Sequence, residues 1–490
     1  MVKRMTKTTP QKQWGAFYTP DAVVRSLVRW AVRFESDRML DPACGDGRFL
    51  TVHPNSVGVE QDPKAAQLVH ERAPGALIHQ GDFFSWASET HERFECAAGN
   101  PPFIRYQKFT GKFRESALNF CARQGARFSS LMSSWAPFIV ATASLLKTGG
   151  RMAFVVPAEI GHAPYAKPVI EYLTGKFNRV HIVAVRKKLF TNLSEDCWLL
   201  YAEGFSGKTK DIQLSCLERF EDLPAPPQES RLVSLTEWRS WNCHLRPFLL
   251  GDDIRDLYRT VSENLRSRRL GDIAKVGIGY VTGDNDFFHL RPSEAQGREI
   301  PERFLLPTVR SGKSLAGEAI TPQTVEDWRK KNAPNFLLRI RSNETVPLSV
   351  LRYLDSEPGR RARESYKCRN RDPWYVVPDV TVPHAFLSYM SGEAPSLVAN
   401  CADCSGANSV HMVQLINSES LTDLRILWKM PFSHLSCEIE GHPLGGGMLK
   451  LEPREAGRVV LAPEKTFSPF DHRLIREGLE TMRRWRHCGE

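Results

Sequence analysis

Four short apolar runs within the first hundred residues each end on a polar side chain and a turn, a pattern that few folds accommodate. Arg38-Met39-Leu40 ends at Asp41, Ser56-Val57-Gly58-Val59 at Glu60, Ala76 to Gln80 at Gly81-Asp82, and Ala97-Ala98-Gly99 at Asn100. Helical patterns separate the runs. The first is announced by Thr19-Pro20-Asp21, with Thr as the expected cap and Pro as the first helical residue. An apolar stripe at Val24, Leu27, Val28 and Ala31 continues it. Strands alternating with helices predict βα units and a largely parallel sheet, with the polar tips gathered at one sheet edge.

The tips carry the chemistry. Asp41-Pro42-Ala43-Cys44-Gly45-Asp46-Gly47 reads as a strand end and a glycine-containing turn, and Glu60 follows Asp41 by 19 residues. A turn without side chains lets a ligand approach the backbone, and an acid about 20 residues on can hold ribose hydroxyls. Dinucleotide sites use three glycines; only Gly45-x-Gly47 is present here, which better suits S-adenosylmethionine, a cofactor with no pyrophosphate. The alternative is that Gly45 and Gly47 merely make a tight turn. Asp82 at the third tip is placed to accept from an adenine amino group while Phe83 covers the ring, although Asp there also makes a good helix cap.

The sharpest signal is Asn100-Pro101-Pro102-Phe103. Two prolines stiffen the backbone and need no N–H partners, so they present carbonyl oxygens rigidly beside an amide and an aromatic face. Such a group suits methyl transfer to an exocyclic aromatic amine. With the Asn100 oxygen and the Pro101 carbonyl accepting both amino hydrogens, the nitrogen lone pair localises, and the acceptors offset the positive charge that develops. Phe103 stacks on the base.

Positions 15–20 (GAFYTP), 41–50 (DPACGDGRFL), 58–62 (GVEQD), 81–83 (GDF) and 99–103 (GNPPF) together resemble the motif series of N6-adenine DNA methyltransferases of restriction–modification systems. Their order resembles the gamma group, with cofactor motifs first and the recognition domain last. Gly149 to Pro157 matches a later strand of that family, and Leu189-Phe190-Thr191-Asn192 resembles the segment giving a second aromatic. Phe103 stands where the family usually has Tyr, so stacking is retained and a hydroxyl hydrogen bond is not. The resemblance implies a Rossmann-like class I methyltransferase domain (α/β) followed by a mixed α+β target-recognition domain. It also implies S-adenosylmethionine contacts at Thr19, Asp41, Ala43, Gly45, Gly47, Glu60, Asp82 and Phe83. Catalysis is expected at Asn100, Pro101, Pro102 and Phe103, with Phe190 facing a base flipped out of the duplex at some unstacking cost.

The remainder of the 490 residues fits that reading. Lys and Arg outnumber Asp and Glu by 66 to 56, a net charge of +10 that favours a polyanionic partner. The domains are expected at 1–13 (a basic tail), 14–222 (catalytic) and 230–490 (target recognition), around the stiff Pro-rich run at 223–229. Segments 270–283, 369–375 and 406–409 resemble parts of the recognition domain. Between 360 and 371 six Lys and Arg residues face Glu364 as the sole acid. Arg363, Lys367, Arg369, Arg371 and Trp374 are therefore the expected contacts to double-stranded DNA. The 11 Cys residues read as reduced thiols, Cys401-x-x-Cys404 lacks a second ligand pair at zinc spacing, and no metal is expected. No run reaches the ~18 apolar residues of a membrane span, and no apolar segment follows the basic N-terminus as in a signal peptide. A cytoplasmic enzyme without membrane contact is expected, with any cognate restriction endonuclease on a separate chain. Rival readings are a cytosine-N4 DNA methyltransferase, a protein-glutamine methyltransferase, and a DNA-binding specificity protein whose catalytic domain is vestigial.

Overall fold

The polar-tipped runs are neighbouring strands of one sheet in a computed structural model that describes residues 19–190, 193 and 195–489. The strands are β1 (Met39–Asp41), β2 (Ser56–Glu60), β3 (Leu77–Gln80), β4 (Phe94–Gly99), β5 (Leu146–Pro157), β6 (Phe177–Val185), β7 (Cys197–Phe205), β8 (Asp211–Leu217) and β9 (Arg231–Ser234), in the order 3-2-1-4-5-7-6-8-9. From β3 through β5 every pairing is parallel; β7 runs antiparallel to both β5 and β6. The chain steps outward from β1 to β3 and then returns to the other side of β1 with β4. That reversal opens a crevice beyond the carboxyl ends of β1 and β4, where ligands of open α/β sheets bind. The tips Asp41, Glu60, Asp82 and Asn100 all lie at this edge.

Helices cover the sheet because their apolar faces match it. Helix α1 (Asp21–Ala31) buries Val24, Leu27, Val28 and Ala31, and Val23 besides. It begins one residue later than expected: Pro20 is the cap and Thr19 makes no capping bond, because its hydroxyl is engaged elsewhere. Further helices are α2 (Arg48–Val52), α3 (Pro63–Arg72), α4 (Phe83–Glu89), α5 (Gly111–Arg123) and α6 (Trp135–Ser144). In α6 every residue from Trp135 to Ala143 is buried, which explains the most apolar stretch of the chain as core. Among the described residues, no helix is long and apolar enough to cross a membrane.

The chain forms two units, Met1–Leu249 and Leu250–Glu490. The Pro-rich run at 223–229 is therefore not the boundary. It connects β8 to β9, which pairs antiparallel with β8 in the first sheet, and Ser26 Oγ donates to its Leu223 carbonyl at 2.7 Å. A run with prolines at 224, 226 and 227, and so few N–H donors, suits such a surface crossover as well as it suits an interdomain linker, so composition alone misplaces the boundary by about one strand and one helix. The basic tail 1–13 and residues 14–18 lie outside the described residues.

The second unit is mixed. Strands Ala274–Ile278, Val410–Leu415, Ala385–Ser388, Leu397–Asn400 and Ala319–Ile320 form a five-stranded sheet, beside smaller sheets of four and three strands. Its last helix, Pro469–Trp485, starts with a Ser468/Asp471 capping box. The helix ends at Arg486, buried against Glu438 at 2.7 Å.

Candidate active site

The crevice holds a cavity of about 630 Å³ lined by Thr19, Asp41, Ala43, Gly45, Glu60, Phe83, Asn100 and Pro102 among others. All but Thr19, which precedes α1, come from four different strand ends, so the cavity is a product of the sheet order.

The glycine turn after β1 is held from several sides. Gly45 and Gly47 adopt left-handed backbone, with φ of 54° and 81°, which side chains rarely tolerate. The space a Cβ on Gly45 would occupy is open, so the turn presents bare backbone to the cavity it lines. Gly47 instead packs against Val69, where a Cβ would come within 2.9 Å; it shapes the turn without lining the cavity. Asp46 anchors the turn by accepting from Arg48 Nε at 2.9 Å and Arg72 Nη1 at 2.7 Å. Nothing in the spacing of Arg72 announced that role.

The two carboxylates differ in setting. Asp41 is 1% exposed and, among the described residues, accepts only the Ala43 N–H, at 3.2 Å. Burial, with Glu60 and Asp46 nearby, raises its pKa from the ordinary 3.8 to about 8, against the lowering by the Ala43 bond. Glu60 accepts from Gly45 N at 2.9 Å and Asp62 N at 2.7 Å; burial still raises its pKa above the ordinary value. Gly99 makes room for Asp41, since a Cβ there would lie 2.7 Å from Asp41 Oδ1 and 3.1 Å from Phe154 Cε1.

At the third tip both readings of Asp82 hold together. Its Oδ1 caps α4 by accepting from Ser85 N and Oγ, each at 2.7 Å. Its buried Oδ2 has no hydrogen-bond partner among the described residues. Phe83 stacks on Phe138, with centroids 5.2 Å apart and planes at 11°. Phe138 also lines the cavity, and nothing beyond its place in an apolar run pointed to it.

Asn100 reaches into the same cavity. Its Nδ2 donates to Thr19 Oγ1 at 3.1 Å, which turns the amide oxygen to the opposite side and explains why Thr19 does not cap α1. The prolines' exit is braced by Ser134, a fully buried residue that sequence reasoning missed. Its hydroxyl accepts from Ile104 N at 2.9 Å and donates to the Pro102 carbonyl, and its own N–H reaches the Ile104 carbonyl at 3.0 Å. Phe103 packs against an apolar cluster that contains Phe190. Phe190 is only 7% exposed, held among core side chains, so it backs that cluster and offers a base little surface. Thr191 and Asn192 lie outside the described residues.

The predicted DNA contacts divide. Arg363, Lys367 and Arg369 are exposed on the short helices Glu357–Arg363 and Tyr366–Arg369. Arg371 instead donates to the carbonyls of Thr282, at 2.6 Å, and Val281. Trp374 packs on Phe287, 5.7 Å between centroids, half-buried against a core cluster. Neither stands free in solvent as the other three do: both are half-buried and help to hold the unit together. They do so where the three resembling segments meet, for Arg371 joins 369–375 to Val281 and Thr282, and Tyr280 bridges to Ala407. Cys404 is buried, Cys401 is exposed, and the Nε2 of His411 meets the Leu451 carbonyl at 2.7 Å.

Residues 2–212 match the N-6 DNA Methylase family, and residues 244–484 match the C-terminal domain of Type II methyltransferase M.Eco57I. Over residues 2–212 the chain carries the domain of the N-6 DNA methylase family. It is an adenine-specific DNA methyltransferase with the class I S-adenosylmethionine-dependent fold. This methylase is 21% identical over 475 residues to Type II methyltransferase M.AccI of Acinetobacter calcoaceticus, a match spanning 92% of the chain and 86% of the relative. With Type II methyltransferase M.XamI of Xanthomonas campestris pv. amaranthicola it shares 23% identity over 470 residues, 91% of the chain and 84% of the relative. Its fold is also that of the Type IIL restriction-modification enzyme MmeI, solved in complex with DNA. The TM-score is 0.53 at 12% identity, over 94% of this chain and 70% of that one.

Proposed function

We propose that the cavity binds S-adenosylmethionine and that Asn100 and the prolines beside it present the amino group of a flipped adenine to it. The observation that carries this reading is the meeting of Asn100 with Asp41, Glu60 and Phe83 in one cavity. The residues fit the cofactor: acids for its cationic amino-acid end and its ribose, an aromatic face at Phe83, and the buried Asp82 Oδ2 as an acceptor for an adenine amino group. Bound there, S-adenosylmethionine supplies an electrophilic methyl group. The chain's own part is to orient the target amine. Thr19 holds the Asn100 amide, and Ser134 holds the backbone that carries the proline carbonyls. Acceptors fixed in this way need no reorganisation as charge develops on the amine.

In this reading the base stacks on Phe103, and the second unit reads the DNA sequence, with Arg363, Lys367 and Arg369 on phosphates. The order of the two matched regions supports the gamma-group reading, and a modification role in a restriction–modification system goes with it, with a cognate nuclease as the partner. The test is Asn100→Ala. Methyl transfer to DNA is expected to fall by about 10²–10³-fold or more, with calorimetric affinity for S-adenosylmethionine nearly unchanged. Turnover that survives the substitution would show that Asn100 does not carry the chemistry.

A further inference from the structure

The segment directly after Phe103 has a role that no cofactor or base contact explains. Arg105, Tyr106, Gln107 and Lys108 are all exposed, between Ile104 and Phe109, which are both buried. Each end is fastened. Ile104 is held by Ser134 through both its N–H and its carbonyl, with Ser133 Oγ on that carbonyl at 3.2 Å. Phe109 packs edge-on against Phe113, 5.1 Å between centroids. Within the turn, Lys108 N and Phe109 N donate to the Arg105 carbonyl at 2.9 and 3.0 Å. The result is a stiff projection, with its ordering cost met by folding.

Its charge is one-sided. From 105 to 127 the chain has Arg105, Lys108, Lys112, Arg114, Arg123 and Arg127 against the single acid Glu115. Lys108, Lys112 and Arg127 have no acidic partner among the described residues. Arg105 does: its Nη2 meets Glu195 Oε1 at 2.6 Å, yet its side chain remains 68% exposed. An ion pair so open to water contributes little stability, so Arg105 can exchange Glu195 for another anion at small cost. Two residues of chain cannot carry Arg105 more than about 7 Å from Phe103, within reach of the phosphates that flank a base lying on Phe103. Tyr106 between the cations adds a half-exposed aromatic face, which suits a nucleotide better than a bare anion.

We propose that the Arg105–Lys108 turn grips the phosphates of the strand bearing the target base, with Arg105 passing from Glu195 to a phosphate when DNA binds. This rests on the reading that a flipped base stacks on Phe103. The test uses the full chain, a fluorescent 30-base-pair duplex of mixed sequence, and binding constants over a range of salt concentrations. Each phosphate that the protein ceases to neutralise lowers the slope of log affinity against log salt by about 0.9, so Arg105→Ala/Lys108→Ala is expected to lower it by nearly two. Affinity for S-adenosylmethionine and the melting temperature should stay at wild-type values. Glu195→Gln separates exchange from a merely structural ion pair: it should keep the wild-type slope, whereas Arg105→Ala should not. An unchanged slope in the double variant, or equal losses in Arg105→Ala and Glu195→Gln, would overturn the proposal while leaving methylation by the wild type standing. Wild-type protein that binds no duplex would overturn both the proposal and the reading beneath it.

Discussion

The cavity at the ends of β1 to β4 and the basic helices at 357–369 do opposite kinds of work, and their residues are held accordingly. In the cavity the groups at the strand tips are held in place: Asn100 on Thr19, Glu60 on two backbone N–H groups, Asp46 between two arginines. Arg363, Lys367 and Arg369 stand in water on short helices. Chemistry on one atom needs placement to a fraction of an ångström, whereas attraction to a phosphate backbone needs only charge in roughly the right place. Damage should therefore be abrupt in the first region and graded in the second.

Gly99→Ala tests the abrupt side most severely. A methyl group 2.7 Å from Asp41 Oδ1 and 3.1 Å from Phe154 must displace one or the other. Affinity for S-adenosylmethionine, measured by calorimetry, is expected to drop at least tenfold, with about 1–3 kcal/mol lost in denaturant unfolding. A variant that binds normally would mean that the Asp41 position is not critical.

A second prediction uses pH. Folding raises the Asp41 pKa from 3.8 to about 8, so between those values the folded state holds a proton that the unfolded state has released. The stability linked to Asp41 is therefore full below 3.8 and is lost as pH rises through about 8. Asp41→Asn should remove this component, flattening the unfolding free energy over that window. The cofactor's positive charges favour the ionised carboxylate, so binding near neutral pH should release a proton, seen as a calorimetric enthalpy that depends on the buffer. A binding enthalpy independent of buffer would contradict the placement of those charges beside Asp41.

The graded side predicts smaller and additive effects. Arg363→Ala/Lys367→Ala/Arg369→Ala should lower the salt slope of duplex binding by about three times 0.9, with cofactor affinity intact. Each single substitution should give roughly a third of that; one variant that abolished binding alone would erase the contrast. Arg371→Ala should behave as neither. It releases the Val281 and Thr282 carbonyls and should cost about 1–3 kcal/mol of stability, with little change in salt slope.

The contrast also governs what the sequence disclosed. Asp41, Glu60, Asp82 and Asn100 were legible because each sits at the end of its own strand, and the β–α alternation gathers strand ends at one edge. Thr19, Phe138 and Ser134 act across 81, 55 and 32 residues, on Asn100, Phe83 and Pro102 respectively, and no local pattern marks such pairings. Arg371 and Trp374 look like their neighbours in composition, and only burial separates a residue that holds a loop from one that faces solvent. The run at 223–229 misled for a related reason: proline excludes a strand but does not say whether a domain ends there.

The most direct test is single-molecule sequencing of DNA from a host that lacks its own methyltransferases and expresses this chain. N6-methyladenine confined to one short motif, and absent when Asn100→Ala is expressed, is the predicted result. N4-methylcytosine, or no modified base from soluble wild-type protein, would contradict it.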